Sequence, residues 1–545
     1  MSATIPITPG TSIDGIRIAD MPDLGGFTDV CSVVGEHAGS GRFAALALRS
    51  YVISAMAAAT QFATIAALRA NTAYVSAGMQ VSVAGYYAAA DGAGGAFIAM
   101  LSDTTSADNA GTVIVDAVAQ RWYRDTQDMP LSVTWFGARG DGTSDDTTAF
   151  RNAIATGQSV RIPKSPTPYI LRDAVTCTTF GQIIAGDGKA ASVIQIGSTF
   201  NLSAQGVFVI NTPPPLVPAP QFRDFTVAFI QPDTTVKSSL TNYPPAFYSN
   251  NQSRGVWRGV KVSAAMTAFA LVGNPGGTSI VDCEISAFND HIAIDGAADT
   301  VTVENCRFEG DTLTANQMTI YTSPTQGGIG IHSGRCDDLS VAACLFYCGT
   351  GLATYQGSGG NTTFGTLVNC AFDTTSGLAM AGGELVLSAC YFTAASAGVN
   401  PVSVSAGVLA MSSTWFYAAV PLTNGFVLLS PSSGNTISCQ IAGGAMDTSC
   451  GDMFGIQAFG NTLLNVAAMT FSAHQGTALT HAVLQINSGA LLSMTGCRLS
   501  AASGGSGNLI VLAADGAHNV TGNALGGYGA QLPAGHTQLM YANNN

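Results

Sequence analysis

The chain has 545 residues, of which 20 are basic, 33 acidic and 63 glycine, giving a net charge of −13. That balance excludes a nucleic-acid binder, because phosphate recognition needs clustered Lys and Arg, and it disfavours polyanionic ligands. With 47% hydrophobic and only 10% charged residues, the chain is not disordered and reads as strands and tight turns rather than solvated helices.

Residues 1–50 mix Pro, Gly and Asp with little periodicity and read as an extended arm. No basic stretch precedes an apolar one there, so no secretory signal is expected. Tyr51 to Leu68 is an uncharged run of 18 residues, but Ala, Ser, Thr and Gln dilute it. A buried or oligomer-facing helix is expected, with no membrane insertion. Phe62, Ile65 and Leu68 recur every third residue as on one helical stripe. Val81 to Tyr87 and Gly111 to Val115 read as strands, separated by the glycine-rich Asp91-Gly-Ala-Gly-Gly95, and Arg121-Trp-Tyr-Arg124 closes a small α+β module over residues 51–130. Next, Gly140-Asp-Gly142 is turn chemistry, Asp145 suits a helix N-cap and Asp146 adds negative charge to a first helical turn. A short helix is expected from about Asp146 to Thr156, with Gly157 at its end and a strand over Ser159 to Ile162.

Beyond Gln182 the pattern is a repeat. The segments around Cys283, Cys306, Cys344, Cys370, Cys390, Thr414 and Cys497 superpose, each with an apolar residue two places on (Ile285, Phe308, Phe346, Phe372, Phe392, Phe416, Leu499). Weaker copies near Ser438-Cys-Gln-Ile441 and Ala468-Met-Thr-Phe471 fill the gap before Cys497. Steps of 23, 38, 26, 20 and 24 residues, with apolar positions alternating inward, suit a parallel β-helix whose coils stack about 4.8 Å apart. The expected fold is therefore mainly β, a solenoid over residues 131–510 with a short helix at its start and an end segment over 511–545. Twelve Cys without zinc-ligand spacing read as small apolar core residues in a chain folding in a reducing cytosol, without disulfides, metal or cofactor.

Phe136-Gly-Ala-Arg-Gly-Asp-Gly-Thr-Ser-Asp-Asp-Thr-Thr-Ala-Phe150, continued by Ser159-Val-Arg-Ile-Pro163, Tyr169-Ile-Leu171 and Ile184-Ala-Gly-Asp-Gly188, resembles the opening motif of the pectate-lyase-like superfamily of right-handed parallel β-helices. The motif is specific for the fold and silent on the reaction. Val83-Ala-Gly-Tyr-Tyr87, Ala107 to Ile114 and Arg121-Trp122 are similar to the virion-proximal part of bacteriophage tailspikes. That resemblance implies a homotrimer in the phage tail of the virion. It would attach through its N-terminal arm to a tail or baseplate protein and dock on a host surface polysaccharide through the solenoid, after assembly in the host cytoplasm.

Asp141, Asp145 and Asp146 are explained by turn and cap. The residue order of polygalacturonases is absent, since His332 precedes Asp337-Asp338 and no Gly-His-Gly follows. In the repeat, the residue between Cys and Phe faces out, giving a column of Glu284, Arg307, Leu345, Ala371, Tyr391, Trp415 and Arg498. A second outward column holds Ser286, Glu309, Tyr347, Asp373, Thr393, Tyr417 and Ser500. If each copy is one coil, Glu309 and Asp373 stand about 9.6 Å apart along the axis, near the upper end of the roughly 6.5 to 9.5 Å of inverting glycosidases. They are the expected acid and base, provided the 38-residue step hides no extra coil. Tyr347, Tyr391, Trp415 and Tyr417 would stack sugar rings, with Arg307 and Glu284 also contacting substrate. Glu284, Glu304, Asp299, Asp337, Asp338 and Glu384 compete as acids, while His291, His332 and His474 read as structural or surface residues. The reading is a glycan-binding tailspike acting as a hydrolytic depolymerase. A receptor-binding or structural tail protein without turnover, a polysaccharide lyase and a secreted pectinase-like enzyme stay open, in that order.

Overall fold

The computed structural model describes Ser12–Ile13, Ile16–Arg17 and residues 61–526, apart from 212–218, 358–359, 361, 395–397, 419, 421, 423–424, 449–454, 474–482, 502–509 and 513–517. Most of the arm, the run from Tyr51 to Thr60, His474 and most of the end segment lie outside the described residues. The chain forms two units, Met1–Gly137 and Ala138–Asn545.

In the first unit a five-stranded sheet runs in the order Gln61–Phe62, Gln80–Val83, Gly95–Ala99, Arg121–Arg124, Val113–Val115. Its first pair is parallel and the others antiparallel. Helix α1 (Ile65–Arg69) is a little over one turn, with the Thr64 hydroxyl accepting the Ala67 N–H at its start. Its Ile65 and Leu68 pack with Val81, Val83, Phe97, Ile114 and Trp122 in one core. Gly95–Ala99 is a strand that the glycine-rich sequence masks, because only Phe97 and Ala99 mark its inward face. Buried Asp116 ties the turn between Val113–Val115 and Arg121–Arg124 to the segment after helix α1 by accepting hydrogen bonds from the side chains of Asn71, Gln120 and Trp122.

The second unit is a parallel β-helix. Every strand pair in it is parallel, and three ladders run its length. Sheet I extends from Val160–Ile162 to Asn519–Thr521, sheet II from Tyr169–Leu171 to Ala524–Gly526, and sheet III from Val175–Cys177 to Ile510–Leu512. One coil shows the plan: Ile329–Ser333 in sheet III, Cys336–Ala342 in sheet I, Leu345–Phe346 in sheet II, and Thr350–Thr354 again in sheet III.

The corner between sheets I and II turns on one left-handed residue. Asp282, Asn305, Ala343, Asn369, Ala389, Ser413 and Ala468 have φ between 50° and 57°, and Gly443, Gly496 and Gly522 hold the same place. The N–H of each of Asp282, Asn305, Ala343, Asn369 and Ala389 donates to a carbonyl of the following coil, so pairing continues through the corner. The next residue is the buried Cys of the repeat, and all ten described cysteines are free and buried. Two residues on, Phe308, Phe346, Phe372, Phe392 and Phe416 stack with centroids 4.4, 4.7, 4.5 and 5.0 Å apart.

Two details differ from the sequence reading. Cys439 pairs with Leu409 and Leu464 on sheet I, so the Cys position of that coil is Gly444, beside Thr414. The motif was hidden because Gly444 and Met446 replace Cys and Phe. The 38-residue step hides no coil, because Phe308 pairs directly with Phe346 and the extra length forms helix α3 (Ala315–Tyr321).

Helix α2 (Thr147–Ala155) caps the first coil, burying Phe150, Ala153 and Ile154 and setting Phe150 against Tyr169 at 5.6 Å. Its acids differ from the expected pattern. Asp145 accepts the N–H and hydroxyl of Thr147. Asp146, rather than Asp145, is the N-cap residue; it is 1% exposed and gives the helix no side-chain hydrogen bond, because its carboxylate receives the N–H groups of Arg139, Gly140 and Ile170 and ties the preceding turn to the first sheet II strand. Burial pushes its pKa up against those hydrogen bonds.

Candidate functional site

Sheet II presents its outward residues in two columns because side chains alternate along each strand. The first runs Glu284, Arg307, Leu345, Ala371, Tyr391, Trp415, Ala445, Thr470, Arg498. Extending the same pairings by one residue gives the second, in which Glu309, Tyr347 and Asp373 are consecutive, followed by Thr393, Tyr417 and Asp447.

Glu309 and Asp373 therefore stand two coils apart, with Tyr347 on the rung between them. Both Glu309 oxygens accept from the Arg307 guanidinium, at 2.7 and 2.8 Å. Glu284 accepts from Lys189 Nζ at 2.7 Å and lies 3.1 Å from Lys261, which also binds Asp311 at 2.8 Å. Burial pushes the Glu284 pKa up, but the two ammonium groups outweigh it and hold the carboxyl below its ordinary range. Arg307 and Glu284, expected to contact substrate, are thus each engaged in ion pairs. Asp337 is paired with Arg335, Asp338 accepts the Thr300 hydroxyl, and Asp299 and Glu304 are exposed.

Tyr391, Trp415 and Tyr417 lie on the coils beyond this charged network, and Tyr347 stands at its edge, on the rung next to Glu309. Tyr391 and Trp415 are direct neighbours, with Tyr417 two residues along Trp415's strand and Tyr347 two coils before Tyr391. Trp415 is 55% exposed and Tyr347 and Tyr391 41% each, so their faces are open over about 14 Å of the axis. Such amphipathic rings suit the apolar faces of sugars.

The charge distribution sharpens the contrast. After residue 338 the chain holds only six formally charged residues, Asp373, Glu384, Asp447, Asp452, Asp515 and Arg498. On the six successive sheet I strands from Thr363–Val368 to Ala490–Thr495 the single charge is Glu384. That face exposes Phe364, Val386, Val408, Leu463 and Leu491. It also holds a depression of about 530 Å³ lined by Gly382, Gly407, Asn435, Asn461, Val408 and Leu463.

Sheet III carries a group that sequence reasoning passed over. His332 Nδ1 lies 2.9 Å from Asp290 Oδ1, and the Tyr355 ring lies 4.6 Å from the imidazole. Sheet III lacks a recurring motif, so nothing in the sequence aligned Asp290 with His332. His291, beside it, is wholly buried between Ile329 O at 3.0 Å and the Tyr321 hydroxyl at 2.8 Å, and ties helix α3 to the solenoid. Among the described residues no three His, Cys, Asp or Glu side chains are grouped as a metal site, and no helix is long and apolar enough to cross a membrane.

No curated protein sequence matches the chain. Among solved structures it is similar to the tailspike of Acinetobacter phage vb_AbaP_AS12, at 12% identity and a TM-score of 0.48, covering 87% of this chain and 75% of that one. It is similar to an N-terminal fragment of bacteriophage phi29 gene product 12, at 13% identity and a TM-score of 0.46, covering 73% and 80%. It is also similar to the catalytic unit of a GH87 α-1,3-glucanase from Streptomyces thermodiastaticus, at 14% identity and a TM-score of 0.38, covering 78% and 70%. Likeness at this level carries no chemistry to the present chain. Residues 61–127 match the family model of the phage tail protein small four-stranded β-sheet domain, which sets the N-terminal module beside phage tail proteins and leaves the solenoid known by its fold.

Proposed function

We propose that the chain is a receptor-binding protein of a phage tail, in which the N-terminal module faces the virion and the solenoid docks on a host surface polysaccharide. The tail assignment is supported by the match over residues 61–127. The observation that carries the glycan reading is the set of open rings Tyr347, Tyr391 and Trp415, with half-buried Tyr417 beside Trp415, spread over the two outward columns where the charged coils give way to nearly uncharged ones. An uncharged surface of this kind favours neutral glycans, since a polyanion would need Lys or Arg beside the rings. Homotrimeric assembly is part of the proposal and is supported by the apolar outer face of sheet I.

Hydrolysis by Glu309 and Asp373 is the second reading. The two-coil register favours it; the Arg307 pairing of Glu309 and the intervening Tyr347 favour binding without turnover at this pair. A lyase would need a cation beside a uronate, and Arg307 and Arg335 are both held by carboxylates.

Retention of the full-length protein on purified host polysaccharide tests the first reading. Trp415→Ala is expected to weaken retention by about tenfold, the effect of losing one anchoring ring. Retention unchanged in that variant would remove the open rings from the binding surface. Reducing-end release tests the second: activity equal to wild type in both Glu309→Gln and Asp373→Asn would dismiss the pair.

A further inference from the structure

The Asp290 and His332 pair belongs to neither reading above. His332 points outward from Ile329–Ser333, and Asp290 reaches it from the previous coil. Their side chains are 24% and 33% exposed, so the pair sits at the surface in reach of a ligand. With the carboxylate accepting from Nδ1, a neutral imidazole presents Nε2 as an acceptor, and no protein partner to Nε2 occurs among the described residues. Tyr355 lies against the imidazole, its ring tilted by 58°. Lys237 opens the short turn Lys237–Ser239 ahead of the sheet III strand Phe247–Asn250, and its Nζ donates to Gln326 O at 2.7 Å, with no other hydrogen-bond acceptor among the described residues. Burial pushes the Lys237 pKa down, opposed by the charge of Asp290, so the two groups feel each other. Asp295, farther along the same strand, accepts the Arg335 N–H and acts electrostatically on Tyr355.

We propose that Asp290, His332 and Tyr355 form a hydrolytic site for O-acyl esters on sugars. The sugar assignment rests on the glycan-binding reading; the ester chemistry rests on the geometry alone. Water is the nucleophile. His332 Nε2 takes a proton from it as its oxygen bonds to the ester carbonyl carbon and the carbonyl pair moves onto oxygen. When the tetrahedral adduct collapses, the bond to the sugar oxygen breaks and that oxygen takes the proton back from Nε2, leaving a carboxylic acid and a free hydroxyl. Asp290 is a positioning residue, fixing the tautomer and orientation of the ring. Glycoside cleavage suits the group less, because it uses two carboxylates flanking the bond, and Asp290 is committed to the imidazole.

The test is acetate release by the full-length protein from p-nitrophenyl acetate and from cellobiose octaacetate, beside polysaccharide retention of the same preparation. Wild type is expected to turn over both esters, and His332→Gln to lose about 100-fold, with an unchanged thermal midpoint. Asp290→Asn is expected to lower the rate and to move its pH profile, which loss of packing alone would not do. Absence of acetate release in wild type, or full activity in His332→Gln, overturns the site. Acetate release without polysaccharide retention leaves the ester site standing and sinks the glycan reading instead.

Discussion

Ala343 has φ of 52° at the corner where neighbouring coils place Asn305 and Asn369. An L residue in that conformation costs roughly 1–2 kcal/mol, and Asn tolerates it better than Ala because its side chain bonds locally. Asn305 already donates to Asp282 across the coil gap at 2.7 Å. Ala343→Asn would extend this ladder of side chains and is expected to raise stability by about 0.5–1 kcal/mol, read as a higher unfolding midpoint; a lower midpoint would refute the account. His291 gives the opposite kind of prediction. Burial pushes its pKa down to about 4, whereas the unfolded imidazole titrates near 6.5. Between those values the unfolded chain binds a proton that the native chain refuses, so stability falls as pH drops from about 6.5 to 4, by about 3 kcal/mol in all, and levels off below. Denaturant midpoints across that window should show the slope in wild type and a shallower one in His291→Gln.

At the scale of elements, the stack of five phenylalanines from Phe308 to Phe416 is the spine of sheet II. Phe372 sits at its centre and is fully buried. Phe372→Ala leaves a void between two parallel rings that the coil spacing prevents from closing, and should cost about 3–5 kcal/mol, measured by chemical denaturation. A loss under 1 kcal/mol would mean the stack relaxes, contrary to a rigid coil spacing of roughly 4.8 Å. These rungs were legible in the sequence because the Cys and Phe positions repeat chemically identical residues. The coil at Gly444 was not, since Gly and Met meet the same steric demands without the same letters. Sheet III was illegible for a related reason. Its inward residues shift in offset from the Cys: Leu352 and Leu378 each follow theirs by 8 residues, but Ile331 follows Cys306 by 25, because helix α3 intervenes. So Glu309 and Asp373 could be placed from spacing, while Asp290, His332 and Tyr355 come together only through folding. The partners that engage Arg307 and Glu284 were likewise invisible, because Lys189 meets Glu284 across 95 residues.

For the whole molecule, the decisive pattern is where charge stops. Coils before residue 338 carry most of the ion pairs, and those after it expose apolar side chains on sheet I. Six rungs of that face, each about 20 Å long, offer about 500 Å² per chain, so two facing copies approach the roughly 1,000 Å² of a specific interface. Leu463 is 52% exposed on the fifth of these six strands. Leu463→Asp is expected to shift the protein toward monomer in sedimentation velocity without changing its secondary structure. A wild-type protein that sediments as a monomer at micromolar concentration would remove sheet I as a self-association surface.

The alternation around each Cys carries a consequence for change over time. The residues flanking each middle position are fixed by the interior, as Cys344 and Phe346 are. The middle position passes through Glu284, Arg307, Leu345, Ala371, Tyr391, Trp415, Ala445, Thr470 and Arg498 while the backbone repeats. The outer face can therefore be rewritten one letter at a time, coil by coil, with the interior left untouched. Under the proposed receptor-binding role, a lineage built on this scaffold can follow a host that alters its coat without first having to refold.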